Sequence, residues 1–125
     1  MRNKRWKCEN ALVVVLDDDP VWLQLFEGTL AAANFSNVIA SPTPERLFQH
    51  LETGNVDLLV LDLELEDHLS GQDILGIMAE RHPDVPVIVV TSADDQRTAV
   101  ECVKMGAFNF FHKTEDVASI VTEIH

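Results

Sequence analysis

A chain of 125 residues with 46% hydrophobic and 24% charged residues has the size and make-up of one globular domain with a single core. No apolar run approaches the roughly 20 residues that span a bilayer, and the basic start MRNKRWKCEN leads into β-branched residues and aspartates, not a secretory cleavage site. The net charge of −12 is unevenly spread: Arg2, Lys4, Arg5 and Lys7 lie at the very start, and the rest carries five basic against 21 acidic side chains, a surface that repels phosphate backbones and argues against direct nucleic-acid binding.

This divides the chain into a basic N-terminal tail, residues 1–10, and a domain over 11–125. Cys8 and Cys102 are far apart and form no metal or redox motif, which fits reduced thiols in a cytoplasmic protein. The five histidines (His50, His68, His82, His112, His125) have no ligand spacing and read as surface residues.

The first element is ALVVVL (11–16), apolar on both parities and therefore a strand buried on both faces. Asp19–Pro20 then supplies an N-cap and a first-turn proline for a helix with the stripe Val21, Trp22, Leu25, Phe26 and Leu30. NVIA (37–40) is the second strand, and Thr43–Pro44 repeats the capping device ahead of Leu47, Phe48 and Leu51. DLLVLD (57–62) is the third strand, and Ser70–Gly71 opens a helix through Ile74, Leu75 and Met78. VPVIVVT (85–91) is the fourth strand. Ser92 and Asp95 form a candidate capping box for a helix carrying Ala99, Val100 and Val103, closed by Gly106. FNFFHK (108–113) is the fifth strand, with Phe108, Phe110 and Phe111 mostly core, and Thr114 caps a last helix with Val117, Ile120, Val121 and Ile124.

Five strands alternating with five helices give an α/β fold: a doubly wound parallel sheet with helices on both faces. Ligands of such sheets bind beyond the carboxyl ends of the strands, where strand order reverses. The residues closing the strands are therefore the candidates for chemistry: Asp17–Asp18–Asp19, Asp62, Thr91–Ser92 and Lys113. If the first and third strands are neighbours, Asp17, Asp18 and Asp62 converge. Their mutual repulsion is relieved by a hard divalent cation such as Mg²⁺, which takes oxygen ligands and few carboxylates. Lys113 and Thr91 add an ammonium and a hydroxyl suited to a phosphoryl group, and a carboxylate can itself be the nucleophile.

Taken in order, LDDDP, DLLVLD, VIVVTS and KMGAFNFFHK resemble the receiver domain of two-component response regulators, over residues 11–125. The resemblance implies the flavodoxin-like, CheY-like form of the fold and assigns roles by position. Asp62 matches the phosphoacceptor. Asp18 matches a direct Mg²⁺ ligand, Asp17 one acting largely through water, and the backbone carbonyl of Glu64 the third protein ligand. Thr91 matches the switch hydroxyl, Lys113 the lysine that pairs with the phosphoryl group, and Phe110 the aromatic switch residue. Asp19 matches no chemical role and is read as the first helix's N-cap.

The implied partner is a sensor histidine kinase or phosphotransfer protein. The implied output surface is the fourth helix, fifth strand and fifth helix, which also offers a homodimer face. The resemblance also implies an effector domain outside residues 11–125 as the output, and RTAVECVKMGAFNFF is similar to receivers attached to sigma-54-type activators. Phosphorylation and dephosphorylation of itself are the only chemistry implied. Three departures from the family pattern bear on loop geometry and output coupling. Gly71 falls one residue late in a loop without proline, Thr114 follows Lys113 where proline is usual, and Phe110 replaces tyrosine. Because a cis bond costs only about 0.5–1 kcal/mol before proline but about 2.5–4 before other residues, the Lys113–Thr114 bond is expected to be trans. Two alternatives stand beside this reading. A degenerate receiver used only for protein binding is opposed by the intact site residues. A haloacid-dehalogenase-type phosphatase is opposed by Glu64, where that class has aspartate, and by the lack of a cap domain.

Overall fold

The computed structural model describes residues 10–65, 68–92 and 96–124. The strands are β1 (Leu12–Leu16), β2 (Asn37–Ser41), β3 (Leu58–Leu61), β4 (Val87–Thr91) and β5 (Asn109–His112). The helices are α1 (Pro20–Ala32), α2 (Glu45–Glu52), α3 (Gly71–Arg81), α4 (Gln96–Lys104) and α5 (Val117–Ile124). All strand pairs are parallel, in the order β2-β1-β3-β4-β5. Order reverses between β1 and β3, so the carboxyl ends of these two strands flank the crevice where ligands of such sheets bind.

Alternation along the central strands divides the core into two layers. Val13, Val15, Leu58, Val60, Ile88 and Val90 pack with Phe26 and Leu30 of α1 and Ile120 and Val121 of α5. Val14, Leu16, Leu59, Leu61, Val87 and Val89 pack with residues of α2, α3 and α4 on the other face. Burial on both faces holds for β1, β3 and β4, apart from the first residue of β1. The outer strands β2 and β5 are mostly half-buried, because each has a neighbour on one side only.

Caps explain where helices begin. Asp19 accepts from the N–H groups of Val21 and Trp22, at 3.1 and 3.4 Å, as the N-cap of α1. Ser70 and Asp73 form a reciprocal capping box at α3. Gly106, at φ +107°, takes the left-handed conformation that closes α4, and the Ala107 N–H donates back to the Cys102 carbonyl.

Several sequence expectations need correction. Thr43 does not cap α2: Pro44 holds the cap position without a side-chain bond, and Thr43 is tied to the Ser41 hydroxyl. Thr114 does not cap α5. The chain first turns back, with Glu115 accepting from the His112 N–H, and Asp116 supplies the carbonyl for the first helical bond. In α1, Val21 and Leu25 are 75% and 54% exposed, and Leu23 is buried in their place. In α4, Val100 and Val103 face outward and Cys102 is buried. Phe108 precedes β5 and is exposed, Phe110 is half-buried, and Phe111 is core. Asp95 of the expected capping box, and the tail before Asn10, lie outside the described residues. Among the described residues no helix is long and apolar enough to cross a membrane.

Candidate functional site

The sheet's register builds the site. Asp17 follows β1 and donates its N–H to the Ser41 carbonyl at the end of β2. Asp62 follows β3 and donates its N–H to the Leu16 carbonyl at 2.9 Å, which sets it beside the end of β1. Thr91 ends β4, and its carbonyl accepts from the Lys113 N–H at 2.9 Å, which brings Lys113 to the same rim. The structure therefore brings Asp17, Asp18, Asp62, Thr91 and Lys113 together. Phe110 lies apart on β5, packed against the layer formed by α2, α3 and α4.

Asp17, Asp18 and Asp62 each offer a carboxylate oxygen, and these oxygens lie within 4.8 Å of one another. Asp17 and Asp62 are buried and Asp18 is half-buried. The Lys113 ammonium sits 2.6 Å from Asp17 Oδ2 and 3.3 Å from Asp62 Oδ2. The Lys113–Thr114 bond is trans, as expected, since no described peptide bond is cis. Asp62 Oδ1 accepts from the Glu64 N–H at 3.1 Å, which holds the start of the loop against the carboxylate.

Burial pushes the Asp17 carboxyl up to about 6, against the Lys113 and Asp19 hydrogen bonds and with the Asp62 charge adding to the rise. Burial works to lower Lys113, but its bonds and charge attraction to Asp17 and Asp62 outweigh it and hold the ammonium above its ordinary value. One ammonium thus faces three carboxylates. This donor set fits a hard divalent cation: oxygen ligands only, at close range, with a negative charge that the buried site solvates poorly.

The raised Asp17 carboxyl makes metal-free stability depend on pH. Its folded value, about 6, lies above the ordinary carboxyl value of 3.8, so the native state binds the extra proton between those values. Stability is therefore lost as pH rises from about 4 to about 6, and changes little through Asp17 above that. In chelator, wild type should lose on the order of 1–3 kcal/mol relative to Asp17→Asn between pH 4 and pH 7. Urea midpoints at four pH values measure this, and parallel profiles would remove Asp17 as the cause.

The structure adds two contacts to the site. The Lys113 ammonium lies 4.9 Å from the ring centroid of Trp22, which stacks on Phe26 at 4.7 Å. Because Lys113 touches both Asp17 and Asp62, a cation added to the crevice alters the charge under the indole. Mg²⁺ should change tryptophan emission, and Trp22→Phe should remove the change. A response that survives this substitution would belong to Trp6 instead.

The second contact is made by the Glu64 side chain. Its carboxylate accepts from the Thr91 hydroxyl at 3.1 Å and, closely, from the Ser92 hydroxyl. The Ser92 bond and, against burial, the Thr91 bond lower the Glu64 carboxyl below its usual range. A glutamate two residues beyond a strand-ending aspartate carries no signal of such a clasp, which depends on where the β4 end lies.

The response regulator receiver domain model matches residues 13–125. The response regulator protein PilR of Pseudomonas aeruginosa is 31% identical over 107 residues, covering 86% of this chain and 24% of PilR. The nitrogen assimilation regulatory protein NtrX of Azorhizobium caulinodans is 29% identical over 114 residues, covering 89% of this chain and 25% of NtrX. The chain thus spans about a quarter of the length of these two relatives. Among solved structures, the signal receiver domain of a LuxO repressor protein from Vibrio parahaemolyticus superposes with a TM-score of 0.82 at 22% identity, covering 92% of this chain and 87% of that one. The receiver domain of NtrX from Brucella abortus gives 0.80 at 22%, covering 90% and 92%. With sheet order, acidic crevice and family model in agreement, this chain belongs to the response regulator receiver domain family of two-component signalling.

Proposed function

We propose that Asp62 is the phosphoacceptor of this receiver and that Asp17, Asp18, Asp62 and the Glu64 backbone carbonyl hold Mg²⁺. The observation that carries the reading is the convergence of three carboxylates on one rim with Lys113 bridging two of them. A bound Mg²⁺ supplies the positive charge that lets an anionic phosphoryl group approach these carboxylates. The chain's own residues do the rest. An Asp62 carboxylate oxygen forms a bond to phosphorus as the bond from phosphorus to the donor imidazole nitrogen breaks, and the imidazole leaves with the electron pair. Lys113, already 3.3 Å from Asp62, neutralises the transferred oxygens. The Thr91 hydroxyl donates to one of them, and Phe110 follows as the switch residue on the α4-β5-α5 output face. Hydrolysis of the acyl phosphate resets the domain.

The donor in this reading is a histidine kinase or phosphotransfer protein in the cytoplasm. Residues 11–125 act as the receiver unit, residues 1–10 as a basic tail, and the α4-β5-α5 face offers a homodimer contact. An effector domain such as the longer relatives have room for supplies the output.

Incubation with a small acyl-phosphate donor and Mg²⁺ should add one phosphoryl group by intact mass, and chelator should prevent it. Labelling that needs no metal overturns the Mg²⁺ assignment. Sustained turnover of a phosphate ester would point to a phosphatase instead.

A further inference from the structure

We propose that the Glu64 side chain is a latch on Thr91: it occupies the switch hydroxyl in the unphosphorylated state and must release it before a phosphoryl group on Asp62 can be clasped. This rests on the reading of Asp62 as phosphoacceptor and goes beyond it, because that reading uses only the Glu64 backbone.

The argument is a count of protons. A threonine hydroxyl has one proton to donate. In this structure the Thr91 hydroxyl donates it to Glu64 Oε1 at 3.1 Å, and Thr91 itself is fully buried. A phosphoryl oxygen that needs the same proton must displace the carboxylate. The Glu64 acceptor is a carboxylate, and one of its oxygens takes both the Thr91 and the Ser92 hydroxyl. Its bond to Thr91 is therefore charge-assisted and stronger than a neutral one.

Ser92 is the second half of the device. Its hydroxyl donates closely to the same Oε1 and steadies an otherwise exposed side chain over the β4 end. Glu64 is exposed, so once displaced it can turn into solvent without leaving a cavity. Its backbone N–H stays on Asp62 Oδ1 regardless of the side chain, so truncation spares that contact. The latch raises the threshold for activation and sets a resting state that a phosphoryl group must outcompete.

The test uses beryllofluoride as the phosphoryl probe, titrated by calorimetry in saturating Mg²⁺ against the whole chain. Glu64→Ala should bind it roughly three- to tenfold more tightly than wild type, the worth of one released hydrogen bond. Glu64→Gln, which keeps a weaker neutral acceptor, should fall between the two. Ser92→Ala, which leaves the Glu64 charge in place but frees the side chain, should also tighten binding. In the Glu64→Ala background Ser92→Ala should add nothing. Unchanged or weaker binding by Glu64→Ala overturns the latch. Tighter binding by Glu64→Ala with no effect of Ser92→Ala also overturns it, since simple charge repulsion would then suffice. Failure of the wild type itself to bind the probe would instead remove the phosphoacceptor reading on which the latch rests.

Discussion

Replacing Asp62 by asparagine should reduce labelling by an acyl-phosphate donor from one phosphoryl group per chain to none. The expectation follows from what the substitution leaves in place. The amide has nearly the shape of the carboxylate, and its oxygen can still accept from the Glu64 N–H, now 3.1 Å from Asp62 Oδ1. Lys113 keeps its closer partner, Asp17, at 2.6 Å. The fold is therefore retained, but an amide oxygen is a poor nucleophile and would form no stable acyl phosphate. Mg²⁺ affinity should also fall, because one of three converging carboxylates becomes neutral. Intact mass spectrometry with and without Mg²⁺ reads the loss directly. A fully labelled Asp62→Asn protein would move the chemistry to Asp17 or Asp18.

Gly71→Ala should be the most damaging small substitution near the site. A Cβ there would lie 2.3 Å from Leu63 Cα and 2.6 Å from the Asp62 carbonyl oxygen, well inside contact distance and against backbone that cannot rotate away. Either the loop after β3 or the start of α3 must shift. The expected cost is about 3 kcal/mol, the upper end for overpacking, with slower phosphorylation because the displaced backbone carries Asp62. Gly76→Ala in the same helix is the control. Its Cβ would meet only Met105 Cε at 3.8 Å, so helix propensity should leave it unchanged or more stable by up to about 1 kcal/mol. Urea unfolding of both variants separates the cases, and a Gly71→Ala protein within about 0.5 kcal/mol of wild type would show that the loop yields freely.

The late position of Gly71 in its loop, noted in the sequence as a departure from the family pattern, thus coincides with close backbone packing. What was legible shares a physical basis. Strands buried on both faces advertise themselves as β-branched runs, and chemistry gathers where they end, so Asp17, Asp18, Asp62, Thr91 and Lys113 could all be placed on one rim. Apolar stripes were less readable. In α1, Val21, Trp22, Leu23, Leu25 and Phe26 are all apolar, so the spacing fits more than one face, and only docking against β1, β3 and α5 selects Leu23 over Leu25. In α4 the buried position is Cys102, a small residue overlooked between two valines. Thr114 and Asp116 are both good cap residues. The choice fell to Asp116 because Glu115 first turns back to bond His112. The Glu64 clasp and the Trp22–Lys113 contact join residues far apart in the chain; the place of Trp22 early in α1, four residues after Asp18, puts it near the crevice, but local patterning does not name Lys113 as its partner or show the clasp.

The most direct measurement is the position of the phosphoryl group itself. After labelling with an acyl-phosphate donor and Mg²⁺, borohydride reduces an aspartyl phosphate to the alcohol and releases phosphate, leaving homoserine where the aspartate stood. Peptide mapping should find homoserine at position 62 and nowhere else. Homoserine at 17 or 18, or phosphate retained on a histidine or hydroxyl side chain, would contradict Asp62 as the phosphoacceptor.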